Sequence, residues 1–142
     1  MNKFSMYRFL APFRSRRQSR LREQRKDVTS EVFSHGIEPG SRHDEITRSL
    51  WNHLREQQAF VEDFRPDPQD NLAEIYAMGP EEVRYDMVDP ITEQLGLDLS
   101  RYDFQGFDFA SLETPSDVAR FLMNLASERG EALHESRPRS SP

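Results

Sequence analysis

The chain has 142 residues, about the length of one domain, and its 35% of hydrophobic residues is a low share for a globular protein. Cysteine is absent, which excludes a disulfide, a thiolate metal site and a cysteine nucleophile. Residues 1–26 contain nine Lys or Arg and one acid, a net charge of +8. Because the whole chain has a net charge of −6, the net charge of residues 27–142 is −14. A basic segment joined to an acidic body indicates charged partners and does not define a fold.

The N-terminal segment is dominated by arginine. Its composition predicts that residues 1–40 form a basic arm and linker, largely disordered. Arg8 interrupts the apolar start and the basic block follows it, an order that does not fit a secretory signal peptide. Two alternatives stay open, attachment to an anionic membrane surface and non-specific contact with nucleic-acid phosphates. In either case the contacting basic side chains would be Arg14, Arg16, Arg17, Arg20 and Arg22. Under the membrane alternative, the apolar side chains that insert would be Phe4, Met6, Phe9, Leu10 and Phe13.

The body is predicted to span residues 41–127 and to begin with a helix capped by Ser41 and Asp44. Four apolar residues that recur at helical spacing define one buried stripe on this helix: Ile46, Leu50, Trp51 and Leu54. The helix should end before Pro66, which belongs to a turn-rich segment, Phe64 to Asn71. We expect one or two further helical turns after this segment.

The next helix is predicted to start at Pro80, because proline fits the first helical turn. Glu81 and Glu82 then lie near the positive end of the helix dipole. Its inward side would be formed by Val83, Met87 and Val88. Proline at an interior position costs ~3 kcal/mol, so the helix either kinks or divides at Pro90. We favour a continuous, kinked helix that ends at Gly96.

Aromatic residues are frequent between this helix and the last one. Hydrophobic side chains alternate along residues 97–109, as they do in a strand, but no second strand is predicted nearby, and a lone strand is unstable. We therefore expect a loop with a short helical turn, whose aromatic side chains close one end of a helical bundle.

The last helix is predicted from a capping box formed by Thr114 and Asp117, with Pro115 at the first helical position. Its buried stripe would consist of Val118, Phe121, Leu122 and Leu125. Residues 128–142 are polar and are expected to form a disordered tail.

Three stretches in this order resemble the acyl carrier proteins: RPDPQDNLAEI (65–75), ITEQLGLDL (91–99) and TPSDVARFL (114–122). The first is similar to the loop before the second helix of a carrier, the second to that helix's end, and the third to the closing helix. The resemblance covers residues 42–126. It implies an all-α fold, a small four-helix bundle like that of an acyl carrier.

Carrier proteins attach phosphopantetheine to a serine at the start of their second helix. The resemblance places this attachment position at Glu81, and glutamate cannot accept the group, so no cofactor is expected. As an alternative, residues 106–113 resemble the carrier signature with two residues inserted, which would make Ser111 the attachment site for phosphopantetheine. Against it, Pro115 would fall inside the required helix, and about 15 ordered residues would remain after the serine.

The sequence shows no recognisable catalytic or metal-binding constellation, and we expect a protein that is not an enzyme. Acids on the second helix could be a solvated surface. In carriers they dock basic partner proteins, which would make an acyl-transfer enzyme a candidate partner. The predicted docking residues are Glu81, Glu82, Asp86 and Met87. We expect a cytoplasmic monomer. Under the membrane alternative, the arm would bring it to the membrane surface. We expect no specific binding of nucleic acid.

Overall fold

The computed structural model of the chain describes residues 11–37, 44–97 and 107–140, with side chains over 15–37, 45–97 and 107–127. Within these ranges the chain forms six helices and no strand, which confirms the all-α class. They are α1 (Ala11–Gln24), α2 (Ser30–Ile37), α3 (Asp44–His53, continued by a π-helix, Leu54–Gln58), α4 (Leu72–Tyr76), α5 (Pro80–Glu82, a π-helix Val83–Val88, and Asp89–Leu95) and α6 (Pro115–Ser140). A 3-10 turn, Phe109–Ser111, precedes α6.

Two of these helices, α1 and α2, lie in the segment for which disorder is the expectation from composition, and they raise the count above the four helices expected. Gln18 of α1 is fully buried. Its Nε2 donates to the carbonyl of Ile75 at 2.7 Å, and its Oε1 accepts from the N–H of Phe60 at 2.7 Å. Because these bonds satisfy a buried amide, a polar helix can pack against the body. The prediction of disorder is therefore wrong for residues 11–37.

The hydrophobic core is organised around α3. Leu50 and Leu54 are fully buried and Trp51 is nearly so, as the predicted stripe requires. α3 packs against α2, α6 and the last part of α5. Phe33 of α2 places its ring 5.3 Å from that of Trp51. The predicted cap at Ser41 lies outside the described residues.

α5 continues through Pro90 as one helix and does not divide there, as we favoured from the sequence. Val88 (φ −62°, ψ −50°) and Asp89 (φ −59°, ψ −51°) both have helical dihedral angles. Proline has no N–H, so in a regular helix the carbonyl of Asp86 would lose its usual donor. Gln58, at the π-helical end of α3, donates its Nε2 to that carbonyl at 3.2 Å. A side chain of the neighbouring helix thus donates to the carbonyl that residue 90 would pair with in a regular helix.

The start of α6 is the predicted capping box. Thr114 Oγ1 accepts from the N–H of Asp117 at 3.2 Å, and the Asp117 carboxylate accepts from the N–H of Thr114 at 3.2 Å. Of the predicted stripe, Phe121 is only half-buried, whereas the other three residues are buried. α6 extends to Ser140, so the backbone is helical over most of the expected tail. In the described ranges, none of the helices is long and apolar enough to cross a membrane.

Candidate functional site

The start of α5 is fixed by four consecutive residues. Gly79 precedes the helix, Pro80 occupies its first position, and the Glu82 carboxylate accepts a hydrogen bond from the Gly79 N–H at 2.8 Å. This bond satisfies a backbone donor at a helix start, where donors lack partners within the helix. The predicted start at Pro80 is confirmed.

Five acids lie on the side of α5 that faces away from the core, and we call this set the acidic face: Glu81, Glu82, Asp86, Asp89 and Glu93. Glu81 and Glu93 are exposed, and the other three are half-buried. The inward side of the helix is apolar and buried, and consists of Val83, Met87, Val88 and Ile91. Carboxylates are therefore presented to solvent from the first turn of α5 to its last.

Arg84 is the one basic residue in 80–95, and it lies against aromatic rings. Its guanidinium is 5.0 Å from the ring centre of Tyr85 and 5.3 Å from that of Phe109. Tyr85 is 57% exposed. Tyr and Arg are frequent energetic anchors of protein interfaces. The acidic face thus lies on the same helix as an exposed aromatic ring that is in contact with a guanidinium.

One acid of this face is electrostatically unfavourable in the fold. Burial raises the pKa of Asp89 above its ordinary value, and the opposing charge of Arg84 lowers it only in part. Desolvation penalises the charged form of a carboxyl group because protein atoms replace water around it. A cation placed beside Asp89 by a partner would relieve that penalty.

Met87 is fully buried, so it cannot touch a partner. The sequence predicts it both on the inward side of the helix and in the docking set, and only the first prediction holds. The reason is its spacing, four residues after Val83 and four before Ile91, which keeps it on the apolar side. Glu81, Glu82 and Asp86 are all at least partly accessible to a partner.

The two positions considered for phosphopantetheine lie on neighbouring elements. Glu81 is exposed in the first turn of α5, which packs against the 3-10 turn that contains Ser111. Ser111 is exposed, and its Oγ donates to the carbonyl of Asp108 at 2.7 Å. Its helical turn ends at Leu112, so Ser111 does not begin a long helix, unlike the serine of a carrier.

The arginines of α1 are positioned by helix packing. Arg16, Arg17 and Arg20 are exposed, whereas Arg22 is half-buried and donates to the carbonyl of Glu62 at 2.9 Å. The side chain of Arg14 lies outside the described side chains. Leu21, the one apolar residue in 15–24, packs against the core. The apolar residues expected to insert into a membrane, Phe4, Met6, Phe9, Leu10 and Phe13, lie outside the described side chains.

A buried ionic network joins the residue that follows α1 to the loop before α4, and the sequence does not predict it. Arg25 donates two hydrogen bonds to the Asp70 carboxylate, at 3.0 and 2.6 Å, and the Tyr76 hydroxyl donates a third at 3.0 Å. The Asp70 side chain is only 4% exposed. Burial, with the neighbouring carboxylate of Asp70, raises the pKa of Tyr76 well above its ordinary value, so the hydroxyl remains a donor. Nothing in the sequence distinguishes Arg25 from the other arginines of its segment.

Three comparisons with known proteins do not identify a family or a function for this chain. The chain matches no family model, no curated protein and no solved structure. The described residues also contain no group of three or more His, Asp or Glu side chains placed to hold a metal ion. We take the acidic face of α5, with its accessible carboxylates, as the candidate functional site.

Proposed function

We propose that this protein is a non-enzymatic interaction module that binds a basic segment of a partner protein through the acidic face of α5. The observation that supports it is a set of five carboxylates, all at least partly accessible, on the same helix as the exposed Tyr85, whose ring lies against the one arginine of residues 80–95. The acyl-carrier resemblance makes an acyl-transfer enzyme a candidate partner. The proposed module acts without a phosphopantetheine arm.

Electrostatics would provide most of the attraction. Each exposed ion pair contributes only about 0–1 kcal/mol, so several pairs are needed together, and the five acids provide them. Like-signed charges along one helix also accelerate encounter with a basic partner. Because the Debye length is about 8 Å at physiological ionic strength, binding should weaken strongly as salt is added.

The test is a charge reversal matched by a control of equal net charge. The probe is a fluorescent Arg/Lys-rich helical peptide, and the dissociation constant is measured by anisotropy at low and at physiological salt. Glu81→Lys with Glu93→Lys should weaken binding at least about tenfold, since two attractive charges become repulsive. The control is Glu31→Lys with Glu56→Lys, two exposed acids on α2 and on the π-helical end of α3, and it should keep most of the affinity. Equal losses in both variants would show that net charge alone binds the peptide, and would contradict the proposal.

A true carrier function is the second candidate, because the hydroxyl of Ser111 is on the surface. Incubation with coenzyme A and a broad-specificity phosphopantetheinyl transferase, followed by intact mass measurement, separates the two functions. We expect an unchanged mass. A mass gain that disappears in Ser111→Ala would replace the proposed module by a carrier.

A further inference from the structure

An apolar groove opens beside the acidic face, between α4, the start of α5 and the 3-10 turn. Its volume is about 170 Å³. The apolar side chains that line it are Leu72, Met78, Pro80, Val83, Phe109 and Leu112. A cavity of about 150 Å³ lined by such residues accommodates a benzene ring, so this groove has room for one large apolar side chain.

The walls of the groove are held by the fold. The N–H of Leu72 donates to the carbonyl of Glu113 at 2.9 Å, which joins α4 to the segment before α6. The N–H of Met78 donates to the carbonyl of Leu72 at 3.1 Å, which closes the end of α4. Phe109 is packed edge-on against Phe107, with ring centres 4.8 Å apart. The groove is thus formed before any partner arrives, which lowers the entropic cost of binding.

Acids lie in the lining of the groove or directly next to it in the chain. Glu113 lines it, and Glu81 directly follows the lining residue Pro80; both glutamates are exposed. Glu74, also exposed, directly follows the lining residue Ala73 and forms an ion pair with Arg17 at 3.8 Å. An apolar groove with a carboxylate rim disfavours an anionic ligand such as a fatty acid and favours an apolar group flanked by cations.

We propose that this groove receives one large apolar side chain of the partner's basic segment, while Lys or Arg residues beside that side chain meet Glu81 and Glu113. The inference rests on the proposed function and names the sequence that the partner must contain. The groove would supply specificity, because charge alone does not distinguish one basic segment from another. Burial of a leucine side chain should increase affinity about tenfold or more.

The test uses two basic peptides that differ only at one central position, leucine or alanine, and the full-length protein. The dissociation constants are measured by anisotropy, and the methyl resonance of Met78 reports where the peptide binds. We expect the leucine peptide to bind about tenfold more tightly. The Met78 methyl resonance should shift with the leucine peptide and move less with the alanine peptide.

Two filled-groove variants and one control complete the experiment. Ala110→Leu and Ala73→Leu each add a side chain at an exposed residue that lines the groove, one on the 3-10 turn and one on α4. Each should abolish the difference between the peptides while the alanine peptide binds as before. Asn52→Leu adds the same side chain on an exposed part of α3 and should preserve the difference. Thermal melts confirm that each variant is folded.

The outcomes separate the groove from the acidic face. If both peptides bind the wild-type chain equally, or if the difference survives in both filled variants, the groove proposal is overturned and the acidic face stands. If binding of both peptides is unchanged by Glu81→Lys with Glu93→Lys, the proposed function fails, whatever the groove does. Absence of binding by either peptide overturns both.

Discussion

At the scale of single residues, Asp89 shows how the acidic face and the fold oppose each other. Burial raises its pKa, so the folded state binds the proton more tightly than the unfolded chain does. The free energy of unfolding therefore falls as pH rises through the folded pKa, and above it the charged carboxylate destabilises the fold.

The substitution Asp89→Asn is therefore expected to stabilise the protein at neutral pH, where it removes the desolvated charge. In acid, below the pKa of the unfolded chain, wild-type Asp89 is also neutral, and the gain should disappear. Urea unfolding at several pH values measures both. Glu93→Gln, at an exposed acid of the same helix, is the control and should leave the unfolding midpoint unchanged. A gain that persists in acid would show that charge is not its cause.

The sequence predicts part of the candidate site. Glu81, Glu82 and Asp86 are predicted from the resemblance, and they precede the proline. Asp89 and Glu93 lie at or after Asp89-Pro90, where the sequence leaves open whether the helix continues or divides. In the fold the helix continues, and the carbonyl of Asp86 accepts a hydrogen bond from Gln58, which is 28 residues away in the chain. A local pattern contains no information about such a contact.

At the scale of elements, the starts of α5 and α6 were predicted and the packing of α1 was not. Pro80 occupies the first position of α5, and Thr114 caps α6 through Asp117, three positions later, at 3.2 Å. Such caps depend on neighbouring residues, which a sequence displays directly. α1 depends instead on the bonds of Gln18 to residues 42 and 57 positions away. A polar, arginine-rich segment is predicted to be solvated because its sequence does not show those distant hydrogen-bond partners.

The groove illustrates the same limit. Its walls come from three elements that the sequence treats separately, and the hydrogen bond between Leu72 and Glu113 brings two of them together. Phe109 was expected to close one end of the bundle with other aromatic residues, and it packs with Phe107 and Phe121. What the alternating pattern does not show is that one side of this cluster lines an open groove, because that requires the position of α4.

At the scale of the whole molecule, the chain is divided into a basic helix and an acidic body that are packed together. Arg25 of the basic segment is bonded to the buried Asp70, so α1 is part of the fold as well as a charged surface. Deletion of the basic segment alone therefore does not test whether the exposed arginines bind a membrane or nucleic acid. The deletion also removes the structural contact between Arg25 and Asp70.

Deletion of residues 1–26 is accordingly expected to destabilise the entire domain. Asp70 would remain buried without its cation, and breaking a buried ion pair costs about 3–5 kcal/mol, a large part of the ~5–15 kcal/mol that stabilises a typical domain. The variant Arg16→Gln, Arg17→Gln, Arg20→Gln removes three exposed charges only and should melt like the wild type. Calorimetry compares the three proteins, and liposome sedimentation of the glutamine variant then tests the arginines themselves. If the truncated chain melts at the wild-type temperature, the contacts of Gln18 and Arg25 are dispensable, and α1 is an appendage after all.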